Sequence, residues 1–448
     1  MRRVVLCAVA GSVGLLWVWL ARPAPPRPAP QRAKPARAAE RRPTADRPTG
    51  RPLEVSWLSG RGLCGTEIPP PGGEPGPGVP AALKDLSVGV PTAERIEAAV
   101  DEWGFDSGEE LGPGAAARDA ARGRTAIATR LERARADRDD PDTAEVATRV
   151  RAERLRDLGR PGEALSGARY AYARWPSSET VTLMAALLDD VGQTAEARRI
   201  LELERGRTED DGERAWIDAQ LGFVAATRGD PAGAARAVAA LEAQSEEPSL
   251  APFTRAVQLT FLGRVDEARA AYERALENER DFASLNNLAE IEVCSGRTDE
   301  SRRLYREAHD RRAAPDATAS TLGGLAYAHL RDGDLVPAWL YASAALAGTG
   351  DGSHSSGPRG VLALSALTAG DLGEARTQAR LARAANPHDD LVMRRCFADP
   401  AERAAMQALA AEARGDRTAA QAAWLEVARG GHQALSLAAR HALRELCS

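Results

Sequence analysis

A chain of 448 residues with 27% charged, 44% hydrophobic and only 4% aromatic side chains has length for two or three globular domains. Its aromatic poverty argues against a β-sandwich or an aromatic-lined catalytic barrel. The formal charge of -5 conceals an asymmetry: residues 22–51 hold nine Lys or Arg against Glu40 and Asp46, a net of +7, and residues 52–448 are left at about -14. An acidic body excludes nucleic acid as the expected partner, because duplex binding draws on clustered cations that neutralise phosphates.

The chain opens with Arg2 and Arg3 followed by an uncharged run from Val4 to Ala21. Eighteen residues of helix span roughly 27 Å, enough for a bilayer core. Trp19 and Ala21 precede Arg22 and Pro23, without the small-x-small pattern of a signal-peptidase site. The reading is therefore an uncleaved single-pass anchor through residues 4–21, with the body outside the cytoplasm in the cell envelope. A cleaved signal peptide on a secreted protein is one alternative. Cations beyond the segment outnumber those before it, and by the positive-inside rule alone the body would face the cytoplasm, which is the other.

Residues 22–51 (RPAPPRPAPQRAKPARAAERRPTADRPTGR) cannot build a core and are expected to form an extended, disordered linker. Residues 52–91, with the breaker run PPPGGEPGPGVP at 69–80, are expected to be irregular. Helical periodicity begins over 92–103, resumes from Ala115 to Arg138 and continues from Thr143, so that 92–143 reads as N-terminal helices.

From residue 144 to 440 the chain repeats. Glycines stand at Gly159, Gly192, Gly229, Gly263, Gly296, Gly333, Gly370 and Gly415, at spacings of 33, 37, 34, 33, 37, 37 and 45 residues. Seven residues before each is Ala152, Ala185, Gly222, Ala256, Ala289, Ala326, Ala363 or Ala408; five after it is Ala164, Ala197, Ala234, Ala268, Ser301, Ala338, Ala375 or Ala420. Two helices approach closely only where both carry small side chains, and a glycine between them ends the first helix in the left-handed conformation. Each unit is thus a helix pair around a turn, and the fold class is all-α. The run GTGDGSHSSGPRG at 348–360 reads as a mobile loop within the array, and 441–448 as a C-terminal tail.

Four cysteines lie outside the hydrophobic run: Cys64, Cys294, Cys396 and Cys447. They permit two disulfides in three connectivities. The favoured pair is Cys396 with Cys447, which would tie down a fraying chain end, and free buried thiols are an equal alternative.

The register resembles the tetratricopeptide repeat, most closely over FASLNNLAEIEVCSGRTDESRRLYREAHDRRAAP, where Leu288, Ala289, Gly296, Tyr305 and Ala308 hold the family's packing places. Ala256, Gly263, Ala268, Tyr272, Ala275 and Leu276 repeat the pattern one unit earlier, and Pro176 and Pro387 match its closing proline. The chain is similar to a bacterial, membrane-anchored or exported member of that family. The resemblance implies a right-handed α-solenoid of stacked helix-turn-helix repeats. It also implies a concave groove lined by the first helix of each pair, at Trp216, Phe223, Phe253, Val257, Asn286, Glu290, Tyr327 and Arg331. Phe223, Phe253 and Tyr327 serve equally well as packing between repeats.

No pattern of catalytic chemistry is present: no HExxH, CxxC, GxxxxGK or GxSxG. His388 beside Asp389 and Asp390 reads as a solvated loop after Pro387. The expectation is a non-enzymatic scaffold or assembly factor of the envelope, without metal or cofactor, that binds an unknown protein or peptide on the groove. Two alternatives stand beside it: a catalytic or ligand-binding activity in residues 52–140 with the repeats as accessory, and a self-associating structural protein.

Overall fold

The computed structural model describes residues 78–103, 112–137, 144–227, 230–244, 250–311, 317–386, 400–430 and 432–447, and the backbone of two short strands. These strands, β1 (Val4–Cys7) and β2 (Trp17–Leu20), pair antiparallel with Val4 opposite Leu20. The remainder of the proposed anchor, the linker, Cys64, Gly229, His388 and Cys396 lie outside the described residues.

All eight helix pairs expected from the glycine spacing form. They are α4 (Ala144–Asp157) with α5 (Pro161–Arg174), α6 (Ser178–Asp190) with α7 (Thr194–Arg205), and α8 (Asp211–Thr227) with α9 (Pro231–Gln244). Next come α10 (Leu250–Phe261) with α11 (Val265–Asn278), α12 (Phe282–Cys294) with α13 (Thr298–Asp310), and α14 (Ala317–Arg331) with α15 (Leu335–Thr349). The last are α16 (Ser356–Thr368) with α17 (Leu372–Ala385) and α18 (Pro400–Arg414) with α19 (Arg417–Arg429), closed by α20 (Gln433–Cys447). Each pair packs within itself, and first helices also stack on first helices, as α6 does on α8 and α14 on α16. The fold is an all-α solenoid.

The turns obey the expected chemistry. Gly159, Gly192, Gly263, Gly296, Gly333, Gly370 and Gly415 all have positive φ, between 70° and 84°. The residue after each returns its amide to the carbonyl five residues earlier, as Arg264 does to Leu259 and Arg297 to Glu292, both at 2.9 Å. This is the Schellman closure of a helix end. The flanking small residues are buried at the helix crossing, Ala256, Ala289, Ala268 and Ala338 among them with no exposure at all. Ser301, the one departure from alanine at its place, is also fully buried, and its hydroxyl donates to the carbonyl of Ala289 at 2.7 Å. That bond joins the two small places of a single repeat. At Gly222 a Cβ would lie 2.0 Å from Gln258 Nε2, so glycine there admits the glutamine of the next repeat.

Charge joins one repeat to the next. Six residues after the glycine, Arg269, Arg302 and Arg376 reach the first helix of the following unit. Arg269 Nε donates to Glu292 at 3.0 Å and its Nη2 to Ser295 Oγ at 2.5 Å, and Arg302 pairs with Asp332. Arg376 donates to Glu412 at 2.6 Å, and Glu412 accepts the indole N–H of Trp424 at 2.7 Å. Arg156 holds Asp190 through two bonds of 2.6 and 3.2 Å.

Three helices precede the array: α1 (Ala81–Ser87), α2 (Ala93–Glu102) and α3 (Pro113–Asp137). The last two lie within residues 92–143. The first lies inside the stretch expected to be irregular, where it is held by burial of Leu83 and Leu86. These helices pack along α15, and α3 runs on against α4. That second layer explains why every residue of α15 from Ala338 to Ala347 is buried.

Two expectations are corrected. The run 348–360 is no mobile loop: α15 continues to Thr349, a single 3-10 turn spans Ser353–Ser355, and α16 begins at Ser356. Its glycines serve close approach. The amide of Ser353 donates to the carbonyl of Gly159 at 2.9 Å, and His354 Nε2 lies 2.7 Å from the carbonyl of Arg156. The stretch from 441 is not a tail either, because α20 runs through it with Ala442 and Leu443 buried and Glu445 paired to Arg376.

This contact sets Gly159 apart from its fellows. A Cβ there would stand 2.3 Å from Ser353 N, whereas at Gly263, Gly296, Gly333 and Gly415 it meets nothing within 4 Å. Asparagine tolerates the left-handed region, so Gly296→Asn is expected to cost about 1 kcal/mol or less. Gly159→Asn must displace backbone, at roughly 3 kcal/mol. Denaturation midpoints of the two variants check the difference, and equal midpoints would refute the contact.

Candidate functional site

The first helices α8, α10, α12 and α14 carry all eight residues assigned to the groove, and the structure divides them. Phe223, Phe253, Val257, Asn286 and Tyr327 are buried, none more than 3% exposed, while Trp216, Glu290 and Arg331 keep intermediate exposure. Phe253 packs edge to face on Tyr272 of its own repeat, with centroids 5.9 Å apart. Asn286 Oδ1 accepts from Ser320 Oγ at 3.4 Å across α12 and α14, and its amide nitrogen has no partner among the described residues. Phe223, Phe253 and Tyr327 are therefore buried in the stack, and Trp216 is the aromatic member of the set that keeps exposure.

Tyr327 and Arg331 are committed to a third side chain. The Tyr327 hydroxyl donates to Glu402 Oε2 at 3.0 Å, and Arg331 Nη1 donates to Glu402 Oε1 at 2.6 Å. Glu402 belongs to α18, two repeats on from α14. It stands thirteen residues before Gly415, the place that Trp216 holds before Gly229. The intervening α16 has glycine at two of the groove offsets, Gly357 and Gly360, with Leu364 and Thr368 at the offsets of Tyr327 and Arg331. Sequence reasoning missed Glu402, although the offset that selects Trp216 selects it too.

Two further histidines among the described residues sit in contacts between elements. His329 stacks on Tyr341 with centroids 5.3 Å apart and 9° between planes, and lies 3.5 Å from Asp334. His309 lies 3.7 Å from Asp119 where α3 meets α13. Among the described residues no group of three His, Cys, Asp or Glu could hold a metal ion, and no helix is long and apolar enough to cross a membrane. Cys294 and Cys447 are disulfide-bonded. Cys396, the expected partner of Cys447, is outside the described residues.

No family model and no curated protein matches the chain. Solved structures resemble it in fold. The Cut9–Hcn1 hetero-tetramer of the APC/C is 12% identical, with TM-score 0.48, over 69% of this chain and 57% of the other. This chain thus spans less than two thirds of that one. PilW, a type IV pilus biogenesis factor, is 17% identical, with TM-score 0.36, over 50% of this chain and 98% of the other. A thermophilic tetratricopeptide-repeat protein of Thermus thermophilus is 21% identical, with TM-score 0.34, over 40% and 98%. The chain has the tetratricopeptide-repeat fold. The helix pairs, Schellman turns and buried small residues described above are what place it there.

The carboxylates that join repeats are tuned to stay ionised. Hydrogen bonding from Arg280 holds Glu307 below its ordinary 4.5. Burial alone would raise Asp332 and Asp371. Bonds from Thr298 and Arg302 to the first, and from Lys84 and the Glu374 amide to the second, outweigh that and hold both below 3.8. Groups depressed in the folded state stabilise it above their unfolded pKa values and lose that contribution as pH falls through the folded ones. Stability should stay level from neutral pH to about 5 and decline below about 4, as urea midpoints across a pH series would show.

Glu402→Ala leaves the Arg331 guanidinium and the Tyr327 hydroxyl without their acceptor, and is expected to cost about 2–3 kcal/mol. Tyr327→Phe removes one bond and should cost about 1 kcal/mol. A double variant costing as little as Glu402→Ala alone is the expected sign of coupling; strict additivity would dissolve the cluster.

Proposed function

We propose that this chain is a non-enzymatic scaffold of the cell envelope that binds a protein or peptide along the first-helix face of its repeats. The observation that carries the reading is the division of that face. Phe223, Phe253, Val257 and Asn286 are taken up by packing and Tyr327 and Arg331 by the cluster with Glu402, while Trp216 keeps intermediate exposure on α8. A large amphipathic ring on a rigid stack suits capture of an extended or helical segment.

The envelope location and the tether through residues 4–21 belong to the same proposal. Disulfides at Cys294 and Cys447 favour an oxidising compartment, in keeping with a body outside the cytoplasm. Residues 78–137 contribute Val79, Leu83, Ile96 and Ala116 to the same core as the repeats, which supports reading them as part of the solenoid rather than as a separate activity.

A photo-crosslinking residue at position 216 of the full chain is expected to capture a partner in cells, and the same residue at 199, on α7, is not. Trp216→Ala should weaken capture about tenfold. Equal adducts from both positions, or an unchanged yield, would overturn the face. For location, a membrane-impermeant thiol reagent applied after reduction should label Cys447 on intact cells; labelling only after lysis would place the body inside.

A further inference from the structure

Six residues after its glycine, the sixth repeat breaks the pattern of its neighbours. Arg198, Arg269, Arg302 and Arg376 stand at that place in four repeats, but here it is Trp339. Trp339 is fully buried, and its indole N–H donates at 2.6 Å to the carbonyl of Leu83 in α1. The place that Arg269, Arg302 and Arg376 use to grip the next repeat grips the N-terminal layer instead.

Other contacts converge on the same segment. The amide of Gly78 donates to the carbonyl of Ala369 at 3.0 Å, Lys84 pairs with Asp371 at the start of α17, and Ser87 Oγ donates to Glu374 at 3.3 Å. From α16, Arg359 sends Nη1 to the carbonyl of Ser87 at 3.4 Å and to Gln378 Oε1 at 3.0 Å, and Nη2 to the carbonyl of Gly89 at 3.2 Å. The Arg359 side chain is 3% exposed, and its carboxylate neighbour, Asp351 at 3.8 Å, is 78% exposed. Carbonyls of the N-terminal segment therefore supply much of what solvates a buried cation. Without them the guanidinium would be left poorly compensated, a costly state that forces rearrangement.

Arg359 lies one helical turn beyond the stretch at Ser353 and His354 that touches Gly159 and Arg156 of the first repeat. The start of α16 thus holds the N-terminal segment on one side and the first repeat on the other. Helices α1 and α2 have 7 and 10 residues, below the roughly 12–15 that persist in water unaided, so the segment folds only as it docks.

We propose that residues 78–103 are a strap whose docking on α15–α17 and the closure of the seam between Gly159 and Ser353 form one cooperative unit, joined through Arg359. Release of the strap loosens the seam between the first repeat and the start of α16, while α3 still joins α15 to α4.

The test is amide hydrogen exchange on the full chain. Trp339→Phe keeps the ring and removes the N–H, and Lys84→Gln removes the partner of Asp371 while leaving the core intact. In each variant the amides of α1 and α2 and the amide of Ser353 should exchange faster by the same factor, about tenfold for Trp339→Phe, with Val181–Leu188 of α6 unchanged. Faster exchange in the strap with an unaltered Ser353 amide would overturn the proposal, since strap and seam would be independent. An equal rise in α6 would overturn it too, because the lock would then be indistinguishable from global unfolding. No change at either place in both variants would show that these contacts do not hold the strap.

Discussion

Close approach of two helices at a pair of small side chains is the constraint on which the rest of this structure depends. With alanine or glycine seven residues before the turn and alanine or serine five after it, the helix axes come near enough for neighbouring surfaces to interlock. The serine hydroxyl of Ser301, reaching the carbonyl of Ala289, measures that closeness directly. Once each pair is narrow and regular, long side chains at fixed offsets find fixed partners in the next unit, and the ion pairs from Arg269, Arg302 and Arg376 follow.

The glycine frame was legible because it is local: a helix end needs left-handed backbone, and the residues that bear it recur in the chain. The helices over 93–102 and 113–137 were legible for the same reason, through periodicity. Their destination was not, because docking on α15 joins parts of the chain more than 200 residues apart through Trp339 and Leu83. The signal that could have exposed it was a tryptophan at the place where both neighbouring repeats carry arginine. The glycines at 348–360 misled in the opposite direction. Composition alone does not distinguish glycine used for freedom from glycine used for proximity, and Gly352, whose Cβ would stand 2.1 Å from the carbonyl oxygen of Leu158, is used for proximity.

The groove shows a subtler limit. Offsets carried from a family assume that successive first helices present comparable surfaces, and here they do not. Residues of α14 meet Glu402 of α18, two repeats on, while α16 between them carries Gly357 and Gly360. Side chains that would greet a partner in an even array greet each other. Trp216, Glu290 and Arg331 are the members of the set that keep exposure.

Contact between Gly159 and Ser353 also bears on how such a chain can change over time. Open arrays of helix pairs lengthen or shorten by duplication and loss of whole units, since each touches only its neighbours. A unit added between the first and the seventh pair would move these two backbones apart by roughly the 10 Å of a packed helix, and a unit lost would drive them together. Meeting itself along this seam, the array keeps the contact only with the present number of pairs between the first and the seventh.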